Sequence, residues 1–192
     1  MKKTKLTEKD YTEFYKAMLY GDLLDPLKVA IKTAYLDLCR TISGFSKNSD
    51  HDDIIKNAKD EMKKVIKELL HQNITEQGDF DEWHKWACDK LIKSFRNQKF
   101  TYGQAQKWIN MTLKYLSMFD HEKVEKVYEY CHMPIDSYII EAVGEDFKTK
   151  WSKIESYEQY FNYQKMLRNK YENKILLDVE FYMWINEKRK IY

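Results

Sequence analysis

The stretch 52–72, DDIIKNAKDEMKKVIKELLHQ, decides the fold class. Ile54, Ile55, Ala58, Met62, Val65, Ile66, Leu69 and Leu70 recur at three- and four-residue steps, while charged residues, lysine foremost, hold most of the other positions. That is the period of a helix with one face in a core. The same period continues upstream in Leu27, Ala30, Ile31, Ala34, Leu38 and Ile42. Asp25-Pro26 starts this second helix with proline at its first position, and Gly44 stands where a left-handed cap would end it. Thr7 is an N-cap for a short first helix ending near Gly21, and the polar run 46–53, SKNSDHDD, reads as a loop.

Downstream of 73–79, NITEQGD, a fourth helix carries Phe80, Trp83, Ala87, Leu91 and Phe95. A polar turn at 96–103, RNQKFTYG, joins it to a fifth helix from about Gln104 to Met118, so the two form a helical hairpin. Asp120 opens a sixth helix to about Tyr130, Pro134 interrupts, Asp136 caps a seventh ending at Gly144, and Ser156 and Asn173 open two final aromatic-rich helices. With only 5 Gly and 2 Pro to punctuate 192 residues, and no internal repeat or long linker, the expectation is one compact all-α domain over 1–192.

MKKTKLTEKD begins with a basic run but lacks the apolar segment of a signal peptide, and no stretch approaches 18 uninterrupted apolar residues. Cys39, Cys88 and Cys131 are an odd number at irregular spacing, which argues against a disulfide framework. These features read as a cytoplasmic protein without a membrane partner. The abundance of Lys, Asn, Ile and Tyr fits an AT-rich bacterial or phage genome. The 33 basic and 31 acidic residues nearly balance, so the distribution of charge matters more than its sum.

Basic charge gathers between Trp83 and Tyr115, where Lys85, Lys90, Lys93, Arg96, Lys99, Lys107 and Lys114 face only Asp89. Such clusters are also common on solvated helix faces. Arg96, Lys99 and the amides around Gly103 lie in or beside the turn before a helix, where free N–H groups and the positive dipole end can hold a phosphate. Lys107 reads as a first-turn residue of the fifth helix, a place that disfavours the ammonium form; a neutral amine is a nucleophile toward a sugar C1′ or a carbonyl. In 133–137, Met-Pro-Ile-Asp-Ser, proline stiffens the entry and Asp136 reaches the amides of the next turn. Each residue alone has an ordinary structural reading, an exposed lysine and an N-cap.

Together, Gly103-Gln104-Ala105-Gln106-Lys107 and Pro134-Ile135-Asp136 resemble the helix-hairpin-helix superfamily of DNA glycosylases, particularly the 8-oxoguanine glycosylase/lyases. The resemblance covers the middle third of the chain. It implies a helix-hairpin-helix fold and a base N-glycosylase with AP lyase activity. Lys107 would attack C1′ and Asp136 would stabilise the positive charge developing on the sugar. It also implies nucleic-acid contacts from Arg96, Lys99, Gly103, Gln104, Gln106 and His132, with DNA ahead of RNA as the partner, a base flipped from its stack, and no cofactor. The strings GQAQKWINMTLKYL and CHMPIDSYII also resemble a group of small bacterial proteins, which adds no chemistry.

The rival expectation is a non-enzymatic helical interaction protein or nucleic-acid-binding module, in which Lys107 and Asp136 serve only surface and capping roles. His84 and Cys88, four apart, and the neighbours Cys131 and His132 are zinc-ligand types, but no CxxC or HxxxH pair supports them, so no metal is expected. Tyr157, Tyr160, Phe161, Tyr163, Tyr171, Phe181, Tyr182 and Trp184 recur at helical spacing, which reads as packing first and as stacking platforms for bases second. These C-terminal helices are also the candidate surface for a homodimer.

Overall fold

Nine α-helices and no strand occur among the described residues, which in the computed structural model are 5–21, 24–44, 50–96, 98–144 and 147–189. They are α1 (Glu8–Tyr20), α2 (Pro26–Leu36), α3 (His51–His71), α4 (Gln77–Ser94), α5 (Tyr102–Phe119), α6 (His121–Tyr128), α7 (Ser137–Val143), α8 (Tyr157–Lys170) and α9 (Leu176–Arg189). Two short 3-10 turns, Cys39–Thr41 and Trp151–Lys153, complete the described secondary structure.

Local chemistry sets most helix starts. Thr7 and Asp10 form a reciprocal capping box at α1, the Asp25 carboxylate accepts the Lys28 N–H beside Pro26, and Ser156 caps α8 through the Gln159 N–H. Thr101 and Gln104 form another capping box, so α5 begins two residues before the expected Gln104. Lys107 therefore sits in the second turn and not the first, and the dipole argument for its amine loses most of its force, since that effect decays within one turn.

Two other boundaries differ from expectation. Helix α2 ends at Leu36, well short of Gly44, because the hydrogen bonds tighten to three-residue steps (Leu38 N–H to Tyr35 O, Thr41 N–H to Leu38 O). Leu38 and Ile42 are buried all the same, which is why their spacing read as helix. Asn173 adopts a left-handed φ of 62° after α8, and α9 opens only at Leu176. Within the run 46–53, residues 46–49 lie outside the described residues, and His51 already belongs to α3; Asn97 of the turn 96–103 also lies outside them.

α5 is the axis of the structure. Every residue from Gly103 to Lys114 is buried, and α2, α4, α6, α8 and the Trp151–Lys153 turn pack around it. Trp108, fully buried, donates its indole N–H to Ile31 O at 3.0 Å and lies against Tyr35. α3 contributes the stripe Ile54, Ile55, Ala58, Met62, Val65, Ile66 and Leu69 to the same core. The α4–α5 hairpin closes on Phe95 and Phe100, buried and stacked face to face with centroids 3.8 Å apart. α1 buries none of its residues and touches the body through Tyr20 on Phe119. Among the described residues, no helix is long and apolar enough to cross a membrane.

Candidate active site

Between α2, α5 and α9 lies a cleft of about 1020 Å³ whose walls include Asp37, Arg40, Lys107, Lys114, Asp136, Trp151 and Phe181. Lys107 and Asp136 meet there. Lys107 Nζ lies 3.2 Å from Asp136 Oδ2, and each side chain is less than one-tenth exposed. Asp136 Oδ1 accepts the N–H groups of Tyr138 and Ile139 at 3.0 and 3.1 Å, so this residue caps α7 and faces the lysine at once. The Trp151 ring lies 4.6 Å from the Lys107 amine, a cation–π distance.

A second buried pair follows two turns along α5. Lys114 Nζ contacts both carboxylate oxygens of Glu180, at 2.8 and 2.5 Å, with Phe181 and Trp184 over the amine. Burial pushes the Glu180 carboxyl above its ordinary range, against the attraction of Lys114. Asp37, which accepts the Tyr115 hydroxyl at 2.8 Å, is likewise raised by burial. Lys114, Glu180 and Asp37 were not among the expected site residues. The signal for Lys114 was available, since seven residues separate it from Lys107 and place both on one helix face. Glu180 was hidden inside an aromatic run that reads as packing.

The residues expected to touch nucleic acid divide into two sets. Arg96 and Lys99 are exposed on the hairpin turn, where Lys99 pairs with Glu155. Gly103, Gln104, Gln106 and His132 are buried and bonded within the protein. The Gly103 N–H donates to Ile154 O at 3.0 Å, and a Cβ on Gly103 would lie 1.7 Å from the Trp151 carbonyl oxygen. Its close approach is therefore to Trp151, and the phosphate contact expected of it has no free amide to use. Gln104 donates to Thr41 O and Oγ1, tying α5 to the turn that carries Arg40. Gln106 holds both backbone groups of Ile135.

His132 belongs to a polar network between α4, α5 and α8. Its Nδ1 lies 2.8 Å from the Tyr160 hydroxyl and its Nε2 2.6 Å from Asp81 Oδ1. Asn110 Nδ2 donates to the Tyr160 oxygen, so that hydroxyl gives its proton to Nδ1, and the neutral ring donates from Nε2 to Asp81. Arg168 forks onto both oxygens of Asp81. Burial raises the Asp81 carboxyl, but the hydrogen bonds from His132 and Arg168 outweigh it and hold the group well below the ordinary carboxylate range. Burial lowers His132 to about 4 and holds His84 well below its ordinary value. His84 and His132 do stand together, ring centroids 4.5 Å apart, yet His84 is committed to Asn110 and Tyr157. Among the described residues, no group of three or more His, Cys, Asp or Glu side chains could hold a metal ion.

Compared with known proteins, the chain matches no family model, no curated protein and no solved structure. What the fold and site define is an all-helical protein with a lysine–carboxylate pair at the wall of an aromatic cleft.

Proposed function

We propose that the protein is a nucleic-acid base N-glycosylase with lyase activity, acting on a nucleotide turned out of its stack into this cleft. The observation that carries the reading is the Lys107–Asp136 pair, 29 residues apart in sequence, buried, 3.2 Å apart and lining one cleft. A capping aspartate and a surface lysine on unrelated faces would have left the rival interaction-protein reading ahead.

In the proposed reaction Lys107, an ammonium while it is paired with Asp136, passes a proton by way of that carboxylate to the departing base, and the freed amine adds to C1′ as the glycosidic bond breaks. The bond electrons leave with the base, which takes up that proton. Asp136, fixed across the amine, stabilises the positive charge that develops on the sugar. Ring opening moves a proton from the attached nitrogen to O4′ and yields a Schiff base; the Asp136 carboxylate then takes a C2′ proton, the C2′–C3′ double bond forms, and the C3′–O bond breaks to release the 3′ phosphate. Trp151, Phe181 and Trp184 line the cleft and offer ring faces for the extruded base.

Borohydride reduction with oligonucleotides carrying abasic or oxidised-guanine sites tests this. A covalent complex that forms with the wild type and disappears in Lys107→Ala is expected. No complex with either lesion would overturn the lyase mechanism and favour a binding protein.

A further inference from the structure

The segment from Cys131 to Asp136 is buried throughout and has no regular secondary structure. Its backbone groups cannot turn to water and need partners from elsewhere. The ends bond to neighbouring backbone, Cys131 N–H to Tyr128 O and Ile140 N–H to Asp136 O, and side chains serve the middle. Gln164 Nε2 donates to Met133 O at 2.7 Å, and Pro134 has no N–H to satisfy. At Ile135 one fully buried side chain serves both ends: Gln106 Nε2 donates to Ile135 O at 2.8 Å, and Gln106 Oε1 accepts the Ile135 N–H at 3.2 Å. The amide cannot turn, because Asn110 Nδ2 donates to the same Oε1 at 3.1 Å and Nε2 also reaches Gly103 O at 3.0 Å.

Each partner in this clamp is the chain neighbour of a cleft residue. Gln106 precedes Lys107 on α5, and Ile135 precedes Asp136. Fixing the Ile135 backbone in two directions leaves little freedom for where the Asp136 carboxylate stands relative to the Lys107 amine. We infer that Gln106 is a positioning residue whose amide sets the Lys107–Asp136 geometry. Its importance for chemistry rests on the function proposed above, but the geometric claim stands apart from it.

A buried glutamine that only satisfies backbone groups would stabilise the fold and nothing more. The two roles separate in a thermodynamic cycle. The coupling between Lys107→Met and Asp136→Asn is measured by denaturant unfolding in the wild type, in Gln106→Met and in Gln164→Met, which loses a buried bond to the same segment. Positioning predicts that the Lys107–Asp136 coupling falls by about half or more in Gln106→Met and holds in Gln164→Met. Unchanged coupling in Gln106→Met, or an equal fall in both, would overturn it. Should Gln106→Met not fold, Gln106→Glu serves instead, since it keeps the acceptor for the Ile135 N–H and loses the donor. Trapping on abasic DNA is read in the same variants. Loss of coupling with no trapping even in the wild type would leave the positioning role standing and remove the glycosylase reading. Intact trapping with intact coupling would do the reverse.

Discussion

Asp136 divides its carboxylate between two tasks, giving Oδ1 to the first amides of α7 and Oδ2 to Lys107. A cap alone would have left the second oxygen to solvent, and a surface lysine would have left the amine there too. Both groups are instead buried, which makes each dependent on the other's charge.

Asp136→Asn keeps an oxygen for the cap but leaves the Lys107 ammonium buried without its counter-charge. Breaking a buried pair from one side costs about 3–5 kcal/mol, and that loss is expected in urea unfolding. The double variant Lys107→Met, Asp136→Asn removes the orphaned charge and is expected to recover much of it. Equal stability of the single and double variants would show that the pair is not energetically coupled.

Gly103 and Gly78 are expected to respond to alanine with opposite signs. At Gly103 the new Cβ would meet Trp151 O at 1.7 Å, and the atom in the way is backbone. Overpacking typically costs about 1–3 kcal/mol, and this contact puts Gly103→Ala at or beyond the upper end. The displaced Trp151 ring would also leave Lys107, changing tryptophan emission and lowering trapping. At Gly78, in the first turn of α4, the nearest atom is the flexible end of Glu76 at 3.5 Å, so Gly78→Ala gains about 0.4–1 kcal/mol from the unfolded state. Two similar stability changes would contradict this account.

Much of the fold was written in periodicity. The stripe from Ile54 to Leu69 on α3, the series Phe80, Trp83, Ala87, Leu91 and Phe95, and the caps at Thr7, Asp25, Asp136 and Ser156 stand where their spacing puts them. Leu38 and Ile42 misled because burial keeps the same spacing when a helix tightens into a 3-10 turn. Lys107 and Asp136 were legible as a pair only through their order in the chain. The bonds that join His84 to Asn110, Gln106 to Ile135, and Arg168 to Asp81 were not, because hydrogen bonds between distant parts of the chain leave no periodic trace in sequence. By charge alone the lysines of α5 fitted a solvated face as well as a binding one, yet Lys107 and Lys114 are buried with the rest of its centre.

Salt dependence tests the two basic residues left on the hairpin surface. If Arg96 and Lys99 each neutralise a phosphate, replacing either with alanine reduces the slope of log affinity against log salt by about 0.9 for duplex DNA. Lys99 is held by Glu155 across an exposed pair. Glu155→Gln frees it, so this variant is expected to bind DNA more tightly at low salt. Slopes that do not change would remove the hairpin turn from the interface.

Acid should destabilise the protein through the buried histidines. His132 titrates near 4 in the folded chain, against about 6.5 when unfolded, and His84 is lowered in the same direction, because burial disfavours the charged ring. Between these values the unfolded chain binds more protons than the folded one. Stability is therefore full above about 6.5 and is lost as pH falls toward 4, at a limit of about 1.4 kcal/mol per pH unit for each proton. Asp81, held below its ordinary range, extends the loss to lower pH. Glu180 and Asp37, raised by burial, act oppositely and regain stability on acidification. The test is thus differential. His132→Asn has no ring to protonate, so its unfolding free energy should fall less steeply than that of the wild type between pH 6.5 and 4, and parallel curves would show that His132 is not held neutral by the fold.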